Sequence, residues 1–332
     1  MTSPSKPLKR SSPAKARQPA RQAGHRPGAA REMRGKSKRG NGSTHPRRTR
    51  GVKADRIILT ADMTAATALQ VIAQSCLRQI RLNETTLAAS DNAEALHQAR
   101  IGLRRLRSAL VLLRPMLADD RYERLRAELK WMAVTLGQTR NIDVLIAHFR
   151  HEPVPKASRA ARRTAYAQVR AALATPRWRA LMRDMTEWLT AGAWLTKPEG
   201  SSLRDEPIAR CAASILDRTW KRLKRRGRNL SDLDDHARHR VRIAAKKLRY
   251  AAEFFARLYT GKTAERRRRA FGKAIEKLQD GLGELNDLAT VPALLTRLGV
   301  AKAPPLSRDR KRLLAKAERS YRALFDVKRF WR

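Results

Sequence analysis

From about residue 60 onward, apolar residues recur every three to four positions. This is the period of an amphipathic helix, whereas a half-buried strand would alternate. The spacing predicts helices near 62–88, 93–117, 119–137, 141–150, 157–173 and 176–191. A looser stretch follows at 196–206, with Pro198 and Gly200. Helices resume near 207–227, 233–259, 263–281, 285–298 and 306–328. Asp119, Ser231 and Ser307 stand where N-caps are expected, and Pro292 predicts a bend or restart in its helix. The fold class is therefore all-α, a set of antiparallel bundles. Cys76 and Cys211 fall at apolar positions, as in Ile72, Cys76, Ile80. Two cysteines build neither a disulfide framework nor a four-ligand zinc site, so both are read as reduced core residues.

The pattern is self-similar. His97-Gln-Ala-Arg-Ile-Gly-Leu-Arg-Arg-Leu-Arg107 recurs 142 residues later as His239-Arg-Val-Arg-Ile-Ala-Ala-Lys-Lys-Leu-Arg249. Leu136-Gly137, leading to Arg140-Asn141-Ile142-Asp143, recurs 146 residues later as Leu282-Gly283, leading to Asn286-Asp287-Leu288-Ala289. The change of offset predicts a helix–helix connection four residues longer in the second copy. The chain reads as two copies of one helical unit, about 60–195 and 205–330.

At about 100° per residue, His97, Arg100, Arg104 and Arg107 share an arc of roughly 80°, opposite an apolar stripe of Leu96, Leu103, Leu106 and Leu110. His239, Arg242, Lys246 and Arg249 repeat the row, opposite Val241, Ala245, Leu248 and Phe255. Like charges one turn apart repel, yet neither copy places an acid between the histidine and the third cation. A solvated basic face would explain one such row. Two rows matched in position and type fit a ligand with regularly spaced negative charge, since Arg offers forked donors to phosphate and Lys a mobile point charge. Arg105 and Lys247, beside the rows, are expected as second-tier contacts. So are the weaker stripes Arg218, Lys221, Arg225 and Arg308, Arg312, Arg319; each of these alone reads more readily as a solvated face.

Charge sharpens this picture. The 332 residues carry 74 Lys and Arg against 30 acids, a net +44. A compact body so charged repels itself unless an anion is near, which leaves nucleic acid, inorganic polyanion or an anionic membrane surface as partners. Residues 1–56 hold 17 of the basic residues and two acids, Glu32 and Asp55, with almost no large apolar side chain. They are expected to be a disordered basic tail, an arm for a polyanion. No run of 18 apolar residues predicts a membrane span and no apolar leader is evident, so the cytoplasm is the simplest address.

The paired rows resemble those of the conserved histidine α-helical domain, or CHAD, family, whose signature is His-x-x-Arg followed by paired basic residues and a final Arg in each of two repeats. Here these are His97, Arg100, Arg104-Arg105 and Arg107, then His239, Arg242, Lys246-Lys247 and Arg249. The segments Leu136–Asp143 and Leu282–Asp287 are also similar to the family, except that Asn141 stands where an Asp is usual. The resemblance covers about residues 60–330. It implies two pseudo-symmetric four-helix bundles whose basic surface and central channel bind inorganic polyphosphate and, as in some members, an address at polyphosphate granules. Many members are fused to a triphosphate tunnel enzyme marked by Glu-x-Glu-x-Lys. No such motif occurs here and the tail is too short for that β-barrel, so the resemblance implies a stand-alone member with a basic extension.

No phosphate-cradling glycine loop and no His-Glu-x-x-His is present. His236 and His239, and His148 and His151, lie three apart, but cationic surroundings oppose a divalent ion. Asp232, Asp234 and Asp235 are expected at a helix N-terminus. No metal, cofactor or catalytic residue is expected, and the protein is read as a binding protein. The alternative partner is nucleic acid, held by the basic tail and the helical stripes. Stacking aromatics for it are scarce: Trp131, Trp178, Trp188, Trp194 and Trp220 have core spacing, which leaves Trp331 as the candidate stacker.

Overall fold

The structure is a computed structural model that describes residues 51–149, 152–301, 303 and 309–332. Among the described residues the apolar period is realised as ten α-helices, with no strand beyond an isolated bridge between Thr64 and Pro207. They are α1 (Ala65–Ala89), α2 (Ala93–Leu112), α3 (Arg121–His148), α4 (Lys156–Ala174), α5 (Pro176–Ala191), α6 (Ser201–Arg204), α7 (Ile208–Arg226), α8 (Asp235–Phe254), α9 (Lys262–Arg297) and α10 (Arg310–Asp326). The all-α class holds. In the first half α1 pairs with α2, α2 with α3 and α3 with α4, and α5 lies on α1, α3 and α4. In the second half α7 pairs with α8, α8 with α9 and α9 with α10, and α2 meets α8 across the halves.

Close approach follows from small residues. A Cβ on Gly102 of α2 would sit 2.8 Å from Ile80 Cγ1 of α1, so glycine lets those two helices close on each other. The leucine stripe predicted on α2 is buried: Leu96, Leu103 and Leu106 have no exposure. Val241, Ala245 and Leu248 do the same on α8. Cys76 and Cys211 are buried and free, and burial pushes the Cys76 thiol up to about 12.

Several expectations are corrected. The breaks near 138–140 and 282–284 do not exist: α3 and α9 run through them, and Pro292 lies inside α9. The glycines that end the predicted helices at 137 and 281 serve packing instead, Gly137 against Arg100 and Gly281 against Ala317. The four-residue offset is not in a connection either. The links 113–120 and 255–261 differ by one residue, and α9 instead begins more than a turn earlier relative to its Leu-Gly pair. Ser231 does not cap α8; Asp234 does, accepting from the Ala237 amide at 2.6 Å. Asp235 in the first turn pairs with Arg238 and Arg310 at 2.9 and 2.7 Å, as expected of acids at a helix N-terminus. Asp119 lies one residue before the Asp120 cap of α3 and accepts from the Arg121 amide at 2.7 Å. Ser307, expected to cap α10, lies outside the described residues; Asp309 caps that helix.

Residues 1–50 of the expected tail also lie outside the described residues. Positions 51–56 are not tail. Val52 exchanges two hydrogen bonds with the buried Asn83 side chain at 2.9 and 2.8 Å. Gly51 lies against the α2 backbone, where a Cβ would come within 2.6 Å of the Glu94 carbonyl carbon.

At the other end Trp331 is corrected as a stacker. It is 4 % exposed and packs edge-on against Trp220 and Phe271. Its indole N–H donates to Asp217 Oδ1 at 2.9 Å, and Arg329 and Arg332 hold the same carboxylate.

Candidate functional site

Equivalent capping sets the two basic rows in equivalent places. Asn92 Oδ1 accepts from the Glu94 and Ala95 amides and starts α2, and Asp234 starts α8. Both helices are 20 residues long and carry their histidine at the fifth position. With leucine-rich faces buried, the rows face away from the core, and the contact between α2 and α8 brings them to each other.

The middle of each row meets the middle of the other. Lys246 lies within electrostatic reach of Arg242, Arg104, Arg100 and Arg249, all cations. Arg100 in turn feels Arg104, Arg242 and Arg140. Burial first, and these charges second, push Lys246 down to about 6 and Arg100 to about 10, and they lower Arg242. His97 is pushed down to about 4 by burial and by Arg140, Arg104 and Arg100, against the opposing pull of Glu94. The Nε atoms of Arg104, Arg242 and Arg249 are buried with no hydrogen-bond acceptor among the described residues. Concentrating cations with unmet donors in a half-buried place is costly. An anion is the group that reverses that cost.

The flanking helices fix the rows. On α3 the missing Cβ of Gly137 admits the Arg100 guanidinium, since a methyl would lie 2.4 Å from Nη1, and that nitrogen donates to the Ala133 carbonyl at 3.0 Å. On α9 Asn286 Oδ1 meets His239 Nδ1 at 3.1 Å, and Asp287 favours the charge of Arg242. The far ends of α3 and α9 join through Leu145, Phe149, Val291 and Leu295, with His148 Nε2 3.6 Å from Asp287 Oδ2. Each of α3, α2, α8 and α9 thus touches the next, in a ring.

Arg107 departs from its row-mates. It lies about 15 Å along the axis from His97 at 1.5 Å per residue, and there it meets Arg126 and Lys247 rather than the central cations. Lys247, lowered by burial, faces Arg222, Arg226, Arg107 and Arg126. These form a second cationic group.

Arg105 is a correction. It is 1 % exposed, paired with Glu253 at 2.9 Å and hydrogen-bonded to Gln79 at 3.2 Å, so it serves the core and not a ligand. Arg218, Lys221 and Arg225 lie exposed on α7, and Arg312 and Arg319 lie exposed on α10, none of them among the cations acting on Lys246. Arg308 and His151 lie outside the described residues. Sequence reasoning missed Arg140 and Asp287. The 146-residue offset was their signal, because it sets Arg140 opposite Asn286, each beside a row histidine.

No group of three His, Cys, Asp or Glu suited to a metal occurs among the described residues, and none of the helices described is long and apolar enough to cross a membrane. The family model for the CHAD domain matches residues 71–296. The crystal structure of the CHAD domain from the plant Ricinus communis is similar, with a TM-score of 0.64 and 28 % identity, over 83 % of this chain and 93 % of that one. Among curated proteins no match was found.

Proposed function

Because the chain belongs to the CHAD domain family, we propose that it binds inorganic polyphosphate along the facing rows of α2 and α8, without catalysing a reaction on it. One observation carries this reading: Lys246 is surrounded by Arg100, Arg104, Arg242 and Arg249, and three of the row's guanidinium groups keep buried donors unmet. A flexible chain with one negative charge per repeat suits closely spaced, charge-assisted donors. A duplex is rigid and far wider than two side-chain rows, and most of the aromatic rings that could serve single strands are buried here, with Trp131, Tyr259 and Phe325 only partly so. Binding at polyphosphate granules is the cellular consequence of this reading.

Competition tests it. Long-chain polyphosphate is expected to displace bound DNA at equal phosphate concentration, DNA is not expected to displace polyphosphate, and affinity should fall steeply with salt. The reverse order of displacement overturns polyphosphate in favour of nucleic acid. Hydrolysis or elongation of the polymer by the purified protein would overturn the non-catalytic part.

A further inference from the structure

The 142-residue offset relates α2 to α8 reciprocally, so a contact from one helix to the other should have a mate with the roles exchanged. The central cations obey this: Arg100 feels Arg242, and Lys246 feels both Arg100 and Arg104. The pair of the buried Arg105 on α2 with the exposed Glu253 on α8 therefore has a mate. Its cation is Lys247 on α8, and its acid position is Val111 on α2. The structure brings Val111 and Lys247 to one cavity of about 510 Å³ at the joint of the two halves. Where the first copy has an ion pair, the second has an ammonium without its carboxylate, beside an aliphatic side chain 36 % exposed.

The rest of the lining follows the same division. Leu117 and Pro115 extend the apolar wall from the end of α2, and Arg218 and Arg222 of α7 join Lys247 on the cationic side, where Arg114 also lines the cavity but is paired with Glu123. No carboxylate lines it among the described residues. The nearby Glu123 is held by Arg126 and Arg114 at 2.7 and 3.1 Å. The volume is within the range of small-molecule sites. A bare polyanion would leave the apolar wall unused, and a neutral apolar molecule would leave Lys247, Arg218 and Arg222 without an acidic partner.

We propose that this cavity binds a small amphiphile, an alkyl or aryl body carrying a phosphate head, with Lys247, Arg218 and Arg222 on the head and Val111, Leu117 and Pro115 against the body. The site is separate from the central row and does not rest on the polyphosphate reading.

Calorimetric titration of the full chain with inorganic phosphate, butyl phosphate and octyl phosphate, below the micelle concentration, tests it. One site is expected, with affinity rising along the series by up to roughly fourfold per methylene buried. Val111→Glu, which restores the missing acid, should weaken octyl phosphate at least tenfold. Val111→Trp, which fills the cavity without a charge, should do the same and leave polyphosphate affinity unchanged. Arg104→Glu with Lys246→Glu should keep octyl phosphate binding whatever it does to polyphosphate, so the two readings fail separately. Equal affinity across the series, several equivalent sites, or folded Val111 variants with undiminished binding would each overturn the proposal. The chain-length series needs no variant and decides the matter even if both substitutions fail to fold.

Discussion

On the α2 side of the central row, His97 faces Arg140 and the Arg100 guanidinium is fixed by a backbone carbonyl over Gly137. On the α8 side, His239 meets the neutral Asn286, and Arg242 has the carboxylate of Asp287 within reach. The acid position is Asn141 in the first half, exposed on α3. The same motif therefore offers its charge at two strengths. A carbonyl holds a guanidinium in place and leaves its full charge for a ligand, whereas a carboxylate holds it and neutralises part of it. What a basic motif presents depends on its neighbours from other helices as much as on its own residues.

Removing the meeting point of the halves should have the largest effect. Arg104→Glu together with Lys246→Glu places two acids where four cations converge, and polyphosphate affinity should fall at least about 100-fold. Helical content should be unchanged, because neither side chain belongs to the core. Undiminished affinity in a folded double variant would falsify the central row as the site and shift attention to the group around Arg107 and Lys247.

The pH dependence comes next in size. In the free protein Lys246 is lowered to about 6 and His97 to about 4. A bound polyanion favours their charged forms and returns both toward ordinary values. Binding therefore takes up a proton at Lys246 between about pH 6 and 10, and at His97 between about 4 and 6.5. Affinity should rise as pH falls from 9 to 6, by at most about tenfold per pH unit for a single proton. It should then rise more gently below 6.5. Calorimetry in buffers of different ionisation enthalpy reads the uptake, and Lys246→Met should flatten the upper window alone. The stability of the free protein moves the other way. Between pH 6 and 10 the unfolded chain binds the Lys246 proton and the folded one does not, so thermal stability should climb with pH. Polyphosphate should reduce that slope. A flat affinity profile from 9 to 6 would separate Lys246 from the bound polymer.

Much of this was legible in the sequence for a physical reason. α2 and α8 were readable because their apolar stripes are local, and the two rows because helical geometry fixes which side chains share a face. Partners more than 100 residues away were not readable. Arg105 stands one position from Arg104, and only Glu253, 148 residues on, shows that it turns inward. Gly137 and Gly281 looked like breaks because glycine weakens an isolated helix, while their use is room for Arg100 and for Ala317. Trp331 looked exposed because it ends the chain, yet Asp217 draws it into the aromatic core.

The smallest effect addresses the asymmetry itself. Asp287→Asn removes the carboxylate near Arg242, and polyphosphate affinity should rise by about two- to fivefold, the range of a single half-exposed charge contact. Asn141→Asp places an acid at the matching position of α3 and should weaken affinity by less, because that position is exposed and solvent screens it. The double variant should return close to the starting affinity. Asp287 also stands 3.6 Å from His148 across the junction of α3 and α9, so the substitution is a real choice between two roles. If Asp287 chiefly moderates the charge of Arg242, removing it tightens binding at every salt concentration low enough to measure. If it chiefly ties α9 to α3, removing it loosens the ring and binding weakens with it. The sign of that one change decides whether the second half is a diminished copy of the first or its structural anchor.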